Sequence, residues 1–247
     1  QYFNLTTKLF LVKDTKKCHN GKLNVYNIKM LDEKLVFGRY SKAAGMLAFE
    51  SIKEASIALK VGEVDALVTS PINKKTIQSE DFSFPGHTSY FADFLDGESL
   101  MFMVSDELKV ALVTDHIPVK EISNQFTVDL LKKKIYQLEY SLKFDFDINR
   151  PRIAVLGLNP HSGDKGVIGY EEEKIFIPSI KELREKGLLI FGPYAADSFF
   201  GNQRHLNFDA ILASYHDQGL IPFKSLTFGE GINFTAGLSK VRTSPDH

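Results

Sequence analysis

The sequence predicts an α/β fold, with a mainly parallel β-sheet and helices on its faces, from two observations. Segments with apolar residues at three-and-four spacing, typical of amphipathic helices, alternate with short apolar, β-branched runs. Val64 to Thr69 is such a run, and its composition predicts a strand buried on both faces, as in parallel sheets. The alternation therefore predicts parallel strands joined by helical crossovers.

The elements follow in order along the chain. The first helix is predicted over residues 41–60, with Ser41 as its N-cap and Gly62 as its end. Between Phe3 and Tyr40 the pattern is strand-like but irregular, which predicts an antiparallel flap or the edge of a subdomain. The remaining predicted elements are a strand over 64–69, a helix over 90–95, a strand over 108–114, a helix over 128–142, a strand over 152–158, a helix over 171–186 and a strand over 208–213.

Composition bounds the class of protein. At 247 residues the chain is long enough for one large or two small domains. Its 30 Lys and Arg against 31 Asp and Glu give a net charge of −1, which does not indicate a nucleic-acid-binding surface. The sequence contains neither an apolar run long enough for a membrane span nor a signal peptide, so we expect a cytoplasmic protein. The single cysteine, Cys18, excludes an intrachain disulfide, and we interpret it as incidental.

Three of the seven histidines directly follow three different predicted strands. His116 comes after 108–114, His161 after 152–158, and His216 after 208–213. Ligands of open α/β sheets bind beyond the carboxyl ends of the strands, so the three imidazoles converge if these strands are neighbours. Three imidazoles around an open position are typical of a catalytic divalent-metal site. Each histidine alone fits a plain loop residue, but three at equivalent places favour the metal.

Other polar residues suggest an anionic ligand. His87 and Thr88 precede the short helix predicted over 90–95, where exposed N–H groups bind a phosphate or carboxylate, although a plain Thr or Ser N-cap fits the same residues. Lys224 and Arg242 donate charge-assisted hydrogen bonds of the kind that phosphate accepts, although each alone also fits a solvated surface charge. No GxGxxG or Walker A sequence follows a strand, so a nucleotide would have to bind in another way.

Seven strings resemble the 4-hydroxythreonine-4-phosphate dehydrogenase family, which acts in pyridoxal phosphate biosynthesis. The resemblance covers nearly all of residues 41–247, whereas residues 1–40 are much less diagnostic. In chain order the strings are VTSPINKK, GHTSYFADFL, VTDHIP, LNPHSGDKGVIGYEEE, GPYAADSFF, YHDQGLIPFK and FGEGINFTAGLSKVRTSPDH.

The resemblance implies roles for individual residues. The three metal ligands of the family fall on His116, His161 and His216. Its substrate contacts fall on His87, Thr88, Lys224, Asn233 and Arg242. The general base remains unassigned, with Lys74, Asp197 and Asp217 as candidates, and for each of them a salt bridge or a helix cap is an equal alternative.

The resemblance also implies the chemistry and the architecture. We expect NAD- or NADP-dependent oxidation of 4-phosphohydroxy-L-threonine at its secondary alcohol, followed by decarboxylation, with zinc, cobalt, manganese or magnesium as the metal. Family members are homodimers whose metal site takes groups from both subunits. Their fold resembles isopropylmalate dehydrogenase, with two α/β lobes around a cleft. We therefore expect residues 1–247 to form one enzyme unit of two intertwined lobes, truncated at both ends, whose lobe boundary the sequence does not reveal.

The chain also departs from the family pattern. Ser70 stands where the family has glycine, and Asp164 and Lys165 stand in a loop that is usually richer in glycine. A dehydrogenase of 4-phosphothreonate or 4-phosphoerythronate would keep the same metal and phosphate residues. A histidine-ligated metallohydrolase, which would turn over without NAD, and a non-catalytic fragment are the alternatives from other classes.

Overall fold

The computed structural model describes residues 6–28, 36, 38–95 and 97–245, and the chain divides into two compact units. The first unit comprises Gln1–Gly97 and Ser239–Val241, and the second comprises Glu98–Leu238 and Arg242–His247. That the chain forms one enzyme unit of two intertwined lobes stays a prediction. Across the described ranges, no helix is both long and apolar enough to cross a membrane.

The first unit begins with two short strands, β1 (Leu9–Val12) and β2 (Leu23–Tyr26), which pair in parallel. The prediction of an antiparallel flap is therefore wrong in strand direction. The connection over residues 13–22 contains a 3₁₀ turn at Thr15–Lys17, and it returns the chain to the starting end instead of reversing it in a hairpin. Residues 3–5, 29–35 and 37 of the predicted flap lie outside the described residues.

Helix α1 (Lys42–Lys60) confirms the first predicted helix. The Ser41 hydroxyl accepts a hydrogen bond from the Ala44 N–H at 3.1 Å, and Gly62 ends the helix in a left-handed conformation with φ +77°. Strand β3 (Ala66–Val68) follows and contacts α1. The prediction that both faces of this strand are buried is wrong, since Val68 is 70% exposed. A β-branched run predicts extended backbone, but burial depends on what packs against each face.

Aromatic side chains form the core of the first unit around helix α2 (His87–Phe94). The rings of Phe49 and Phe82 meet edge-on at a centroid distance of 5.5 Å, and Tyr90 stacks on Phe82 at 5.5 Å. Such pairs are worth about 0.5–1.5 kcal/mol beyond their area burial. They fix α2 against α1 and thereby hold the residues before α2 in place.

The second unit is a sheet with helices on both faces. Its strands and helices are, in chain order, β4 (Leu100–Val104), β5 (Lys109–Leu112), α3 (Ile122–Gln125), α4 (Val128–Phe144), β6 (Arg152–Leu156), α5 (Ile177–Glu185), β7 (Leu189–Tyr194), α6 (Ala196–Gly201), β8 (Ala210–Ala213), α7 (His216–Thr227), β9 (Ile232–Ala236) and β10 (Val241–Pro245). A π-helical turn, Glu172–Phe176, leads into α5, so the helix predicted over 171–186 begins with one wide turn.

The strands of this sheet lie in the order β10-β9-β4-β5-β8-β6-β7. Strands β5, β8, β6 and β7 pair in parallel, whereas the pairings β10–β9, β9–β4 and β4–β5 are antiparallel. The strands predicted over 108–114, 152–158 and 208–213 all belong to the parallel half. Strands β4, β9 and β10 were not predicted, and neither was β7 of the parallel half. No helix lies between β4 and β5 or between β9 and β10 in the chain, so the alternation of helix and strand does not mark these pairs.

Both faces of β5, β6 and β8 are buried. On one face Val110, Leu112 and Ile211 pack with Leu220 and Phe223 of α7, and the alternate residues of the same strands are buried as well. Gly219 lets α7 approach closely, since a Cβ there would lie 2.7 Å from a methyl group of Leu112. This packing fixes the amino end of α7, which begins with His216.

Candidate active site

The predicted convergence of strand ends is present in the sheet. Strands β5, β8 and β6 are neighbours and run parallel, so their carboxyl ends lie at one edge. His116 follows β5, His161 follows β6, and His216 follows β8 as the first residue of α7. The three predicted metal ligands therefore occupy equivalent places in the topology.

The structure brings two of the three imidazoles together. The ring centroids of His116 and His216 lie 5.5 Å apart. Asp217 Oδ1 lies 2.7 Å from His216 Nδ1. Because a carboxylate only accepts, this contact places the proton on Nδ1 and leaves the lone pair of Nε2 available. Asp115 Oδ1 accepts a hydrogen bond from the His116 backbone N–H at 2.5 Å, which fixes the start of that loop.

This pair fits a divalent metal ion. With zinc–nitrogen distances of about 2.1 Å, a tetrahedral ion holds two imidazole centroids about 5 Å apart, close to the observed separation. A carboxylate on the second ring nitrogen, as Asp217 provides for His216, is the usual support for a metal-binding histidine. Both side chains are partly exposed, so an ion has access to them.

His161 lies in a loop of unusual backbone. All five residues from His161 to Lys165 have positive φ, between 43° and 77°, and form a left-handed turn. Each residue other than glycine costs roughly 1–2 kcal/mol in this conformation. Among the described residues, no three His, Cys, Asp or Glu side chains form a group that could hold a metal ion. The assignment of His161 as the third ligand therefore stays a prediction.

The predicted anion contacts His87 and Thr88 are the first two residues of α2, in the first unit. Gly86 is the N-cap and makes no side-chain cap, so neither Thr88 nor Ser89 caps this helix. The His87 ring stacks on Phe91 at 6.3 Å with an interplanar angle of 13°. Lys74 Cε lies 3.8 Å from the point where a Cβ on Gly86 would stand, so a lysine side chain lies beside this helix terminus.

The other predicted substrate contacts differ in exposure. Lys224 is exposed on α7, and Asn233 is half-buried on β9. Arg242 is only 2% exposed, and its Nη1 donates to Thr235 Oγ1 at 3.1 Å. Burial lowers the pKa of Arg242 to about 10, so the side chain is still charged at neutral pH.

The three candidate bases lie in different places. Asp217 is bonded to His216, which suits orientation of that ring better than proton abstraction from a substrate. Lys74 lies beside the α2 terminus, and Asp197 is exposed in the first turn of α6. The choice of the base stays a prediction.

Two polar features near the strand ends were missed by the sequence reasoning. Glu172 is 1% exposed and lies under the loop of His161. Lys134 donates to the Ser99 carbonyl at 2.8 Å, and its pKa is lowered by burial, an effect that nearby Asp115 opposes. Both residues stand in charged runs, EEE and KKK, and such runs usually form a solvated surface, so their contacts were not expected.

Three comparisons with known proteins bear on this site. Residues 3–247 match the family model described as pyridoxal phosphate biosynthetic protein PdxA. A Bacteroides thetaiotaomicron protein named 4-hydroxythreonine-4-phosphate dehydrogenase is 47% identical over 239 residues, which are 96% of this chain and 66% of that protein. A Sulfurihydrogenibium protein of the same name is 41% identical over 96% of this chain and 73% of its own length. The chain thus spans about two thirds of the Bacteroides relative.

A solved structure agrees with the sequence matches. The crystal structure of 4-hydroxythreonine-4-phosphate dehydrogenase from Klebsiella pneumoniae superposes with a TM-score of 0.86 at 33% identity, over 98% of this chain and 74% of that one. The predicted fold class, α/β and similar to isopropylmalate dehydrogenase, is thereby confirmed.

Proposed function

Because the chain belongs to the PdxA family of pyridoxal phosphate biosynthetic proteins, we propose that it is a dehydrogenase of 4-phosphohydroxy-L-threonine. In this proposal the secondary alcohol is oxidised with NAD or NADP as hydride acceptor, and the product loses carbon dioxide to give 3-amino-2-oxopropyl phosphate. The match over residues 3–247, together with the His116–His216 pair at 5.5 Å, carries the proposal. The nicotinamide cofactor is inferred from the dehydrogenase name of the relatives.

The metal-binding residues in this proposal are His116, His216 and His161. A divalent ion there supplies Lewis acidity, which lowers the pKa of the substrate hydroxyl. Asp217 holds His216 in the tautomer that presents Nε2, because its carboxylate accepts the Nδ1 proton. Since the described residues of one chain form no group of three, we propose that the site is completed in a homodimer in which the second copy supplies a histidine.

The phosphate end of the substrate is assigned to the amino terminus of α2. Its first backbone N–H groups point out of the helix, and His87, Thr88 and Lys74 add polar and charged groups beside them. Lys224, Asn233 and Arg242 are proposed as further substrate contacts. Binding energy from these remote groups orients the reacting carbon and is available in the transition state.

The proposal is tested on the full-length protein with 4-phosphohydroxy-L-threonine and NAD. NADH absorbance is followed with and without a chelator, and 4-phosphothreonate serves as the parallel substrate. We expect chelator-sensitive NADH formation with the amino substrate. A preference for 4-phosphothreonate would reassign the substrate, and turnover without NAD would favour a metallohydrolase. No NADH from either substrate, with metal bound, would contradict the dehydrogenase.

Subunit sharing is tested by mixing two inactive variants, His116→Ala and His161→Ala, under conditions in which subunits exchange. If the two histidines of one site come from different copies, each mixed dimer retains one intact site, and about a quarter of the wild-type activity returns. If both come from the same copy, no site is intact and no activity returns.

A further inference from the structure

A buried carboxylate fastens the loop that carries His161. Glu172 Oε1 accepts a hydrogen bond from the Asn159 backbone N–H at 2.8 Å, and Glu172 Oε2 accepts one from Asn159 Nδ2 at 2.9 Å. The same Asn159 amide also donates to Glu171 Oε2 at 2.8 Å. At 1% exposure Glu172 has no access to water, so these donors replace its hydration. The residue just before Pro160 and His161 is therefore fixed through both its main chain and its side chain.

Three glycines show how closely the loop fits this carboxylate. A Cβ on Gly163 would lie 2.6 Å from Glu172 Oε2, and a Cβ on Gly157 would lie 3.0 Å from Glu172 Oε1. A Cβ on Gly169 would lie 2.3 Å from Asn159 Nδ2. The backbone thus wraps around the Asn159–Glu172 contact at distances that allow no side chain.

Bonds within the loop complete the turn. The Ser162 N–H donates to the Asn159 carbonyl at 3.1 Å, and the Ile168 N–H donates to the Gly163 carbonyl at 3.1 Å. The Ser162 hydroxyl donates to the Pro193 carbonyl at 3.2 Å, which ties the turn to the end of β7. Left-handed residues such as His161 and Ser162 persist only where surrounding contacts hold them.

We propose that Glu172, acting through Asn159, is the positioning residue of His161. The Glu172 carboxylate binds Asn159 at the start of the left-handed turn and lies close to Gly163. The backbone conformation of this turn sets the direction of the His161 side chain. Glutamine cannot fully replace Glu172, because a side-chain amide has only one acceptor oxygen. Its NH₂ group would face Asn159 Nδ2, which is also a donor. The role of His161 as a metal ligand rests on the proposed function, whereas the carboxylate's hold on the turn does not.

The test is hydrogen–deuterium exchange of the full-length protein, with Glu172→Gln compared with Glu173→Gln. Glu173 is exposed, so its substitution makes the same charge change one residue away. We expect the amides of Ser162, Val167 and Ile168 to exchange at least about tenfold faster in Glu172→Gln, with β5 and β8 unchanged. Glu173→Gln and His161→Ala should match the wild type, because neither removes a bond of the turn.

Metal affinity gives a second readout. Zinc titration against a competing chelator should show a 10–100-fold weaker site in Glu172→Gln and an unchanged one in Glu173→Gln, as expected for support of a ligand. Wild-type protein that binds neither zinc nor another divalent metal would contradict the proposed function but leave the exchange result standing.

Three outcomes would overturn the inference. The first is unchanged exchange of the turn in Glu172→Gln, and the second is faster exchange to the same degree in Glu173→Gln. If Glu172→Gln does not fold, Asn159→Ala tests the same contact, because it removes the side-chain bonds and keeps the main-chain one. The third outcome is measured on the wild-type protein alone: the amides of Ser162, Val167 and Ile168 exchange as fast as unprotected amides.

Discussion

The loops after β6 and β8 leave neighbouring parallel strands at the same edge of the sheet, yet they hold their histidines in different ways. After β8, the chain enters α7 at once, so His216 is held by a regular helix and by the adjacent Asp217. After β6, His161 stands in a left-handed turn that depends on Glu172, eleven residues further along the chain.

This difference shows that equivalent topology does not imply equivalent support. A histidine at a helix start needs only the packing that fixes the helix, here the close approach of Gly219 to Leu112. A histidine in a left-handed turn needs contacts that offset the backbone strain. Substitutions around His216 should therefore act on the imidazole alone, whereas substitutions around His161 should act on the whole loop.

The largest expected effect is the removal of an imidazole from the pair. In the full-length protein, His216→Ala should lower kcat/KM by on the order of 10³-fold or more and weaken zinc binding, because a ligand is lost. The folded structure should be kept, since the side chain is partly exposed. Steady-state kinetics and chelator competition measure both effects. His19→Ala, at an exposed histidine of the first unit, is the control, and an equal loss there would contradict the assignment.

Gly163→Ala should act on the whole loop. With φ at +77° and a Cβ 2.6 Å from Glu172 Oε2, we expect a loss of about 3 kcal/mol in the free energy of unfolding. Gly187→Ala is the matched control, since it has φ +92° but nothing within 4 Å of the added Cβ. It should cost about 1 kcal/mol from backbone strain alone. Urea unfolding measures both, and equal losses would mean that the carboxylate contact adds nothing.

Asp217→Asn should have an intermediate effect, confined to the imidazole. The variant replaces the charged acceptor with a neutral amide whose NH₂ group can face Nδ1, so the His216 tautomer is no longer fixed. Zinc affinity should therefore fall about 10–100-fold while the free energy of unfolding changes little. Chelator competition and urea unfolding separate the two. A loss of stability as large as that of Gly163→Ala would contradict the conclusion that substitutions around His216 affect only the imidazole.

The smallest expected effect is a pH dependence at Glu171. The Ser123 hydroxyl donates to Glu171 Oε1 at 2.6 Å and, with Asn159, lowers the pKa of this carboxyl. Because the folded pKa lies below the unfolded value, this stabilisation is complete above about pH 4.5 and is lost as the pH falls through the folded pKa.

Ser123→Ala should therefore lower the free energy of unfolding near pH 7 by less than about 1 kcal/mol, since the pair is exposed, and by less still at acid pH. Unfolding curves at several pH values measure the difference. Ser198→Ala is the control, because that hydroxyl donates to a backbone carbonyl and its loss should not depend on pH. A pH-independent effect of Ser123→Ala would remove Glu171 as the cause.

Local pattern determined most of the parallel half of the second unit. Helical spacing, with the Ser41 cap for the first helix, marked the helices, and apolar runs between them marked β5, β6 and β8, because a crossover separates such strands by a recognisable helix. The pairs β4–β5 and β9–β10 have no helix between their strands, so β4, β9 and β10 carry no such marker and were missed. Strand β7 of the parallel half was missed as well. The sequence pattern also did not determine the direction in which β1 and β2 pair or the exposure of Val68, because both depend on tertiary packing.

At the site, the sequence by itself determined which histidines follow which strands, since that depends only on chain order and the strand pattern. The tertiary structure decided that His116 and His216 are 5.5 Å apart, that Arg242 is buried, and that Glu172 lies under the loop of His161. These facts depend on side-chain direction and on contacts between distant residues. In the EEE run, only the fold distinguishes the carboxylate that turns inward, because burial is set by what surrounds a residue.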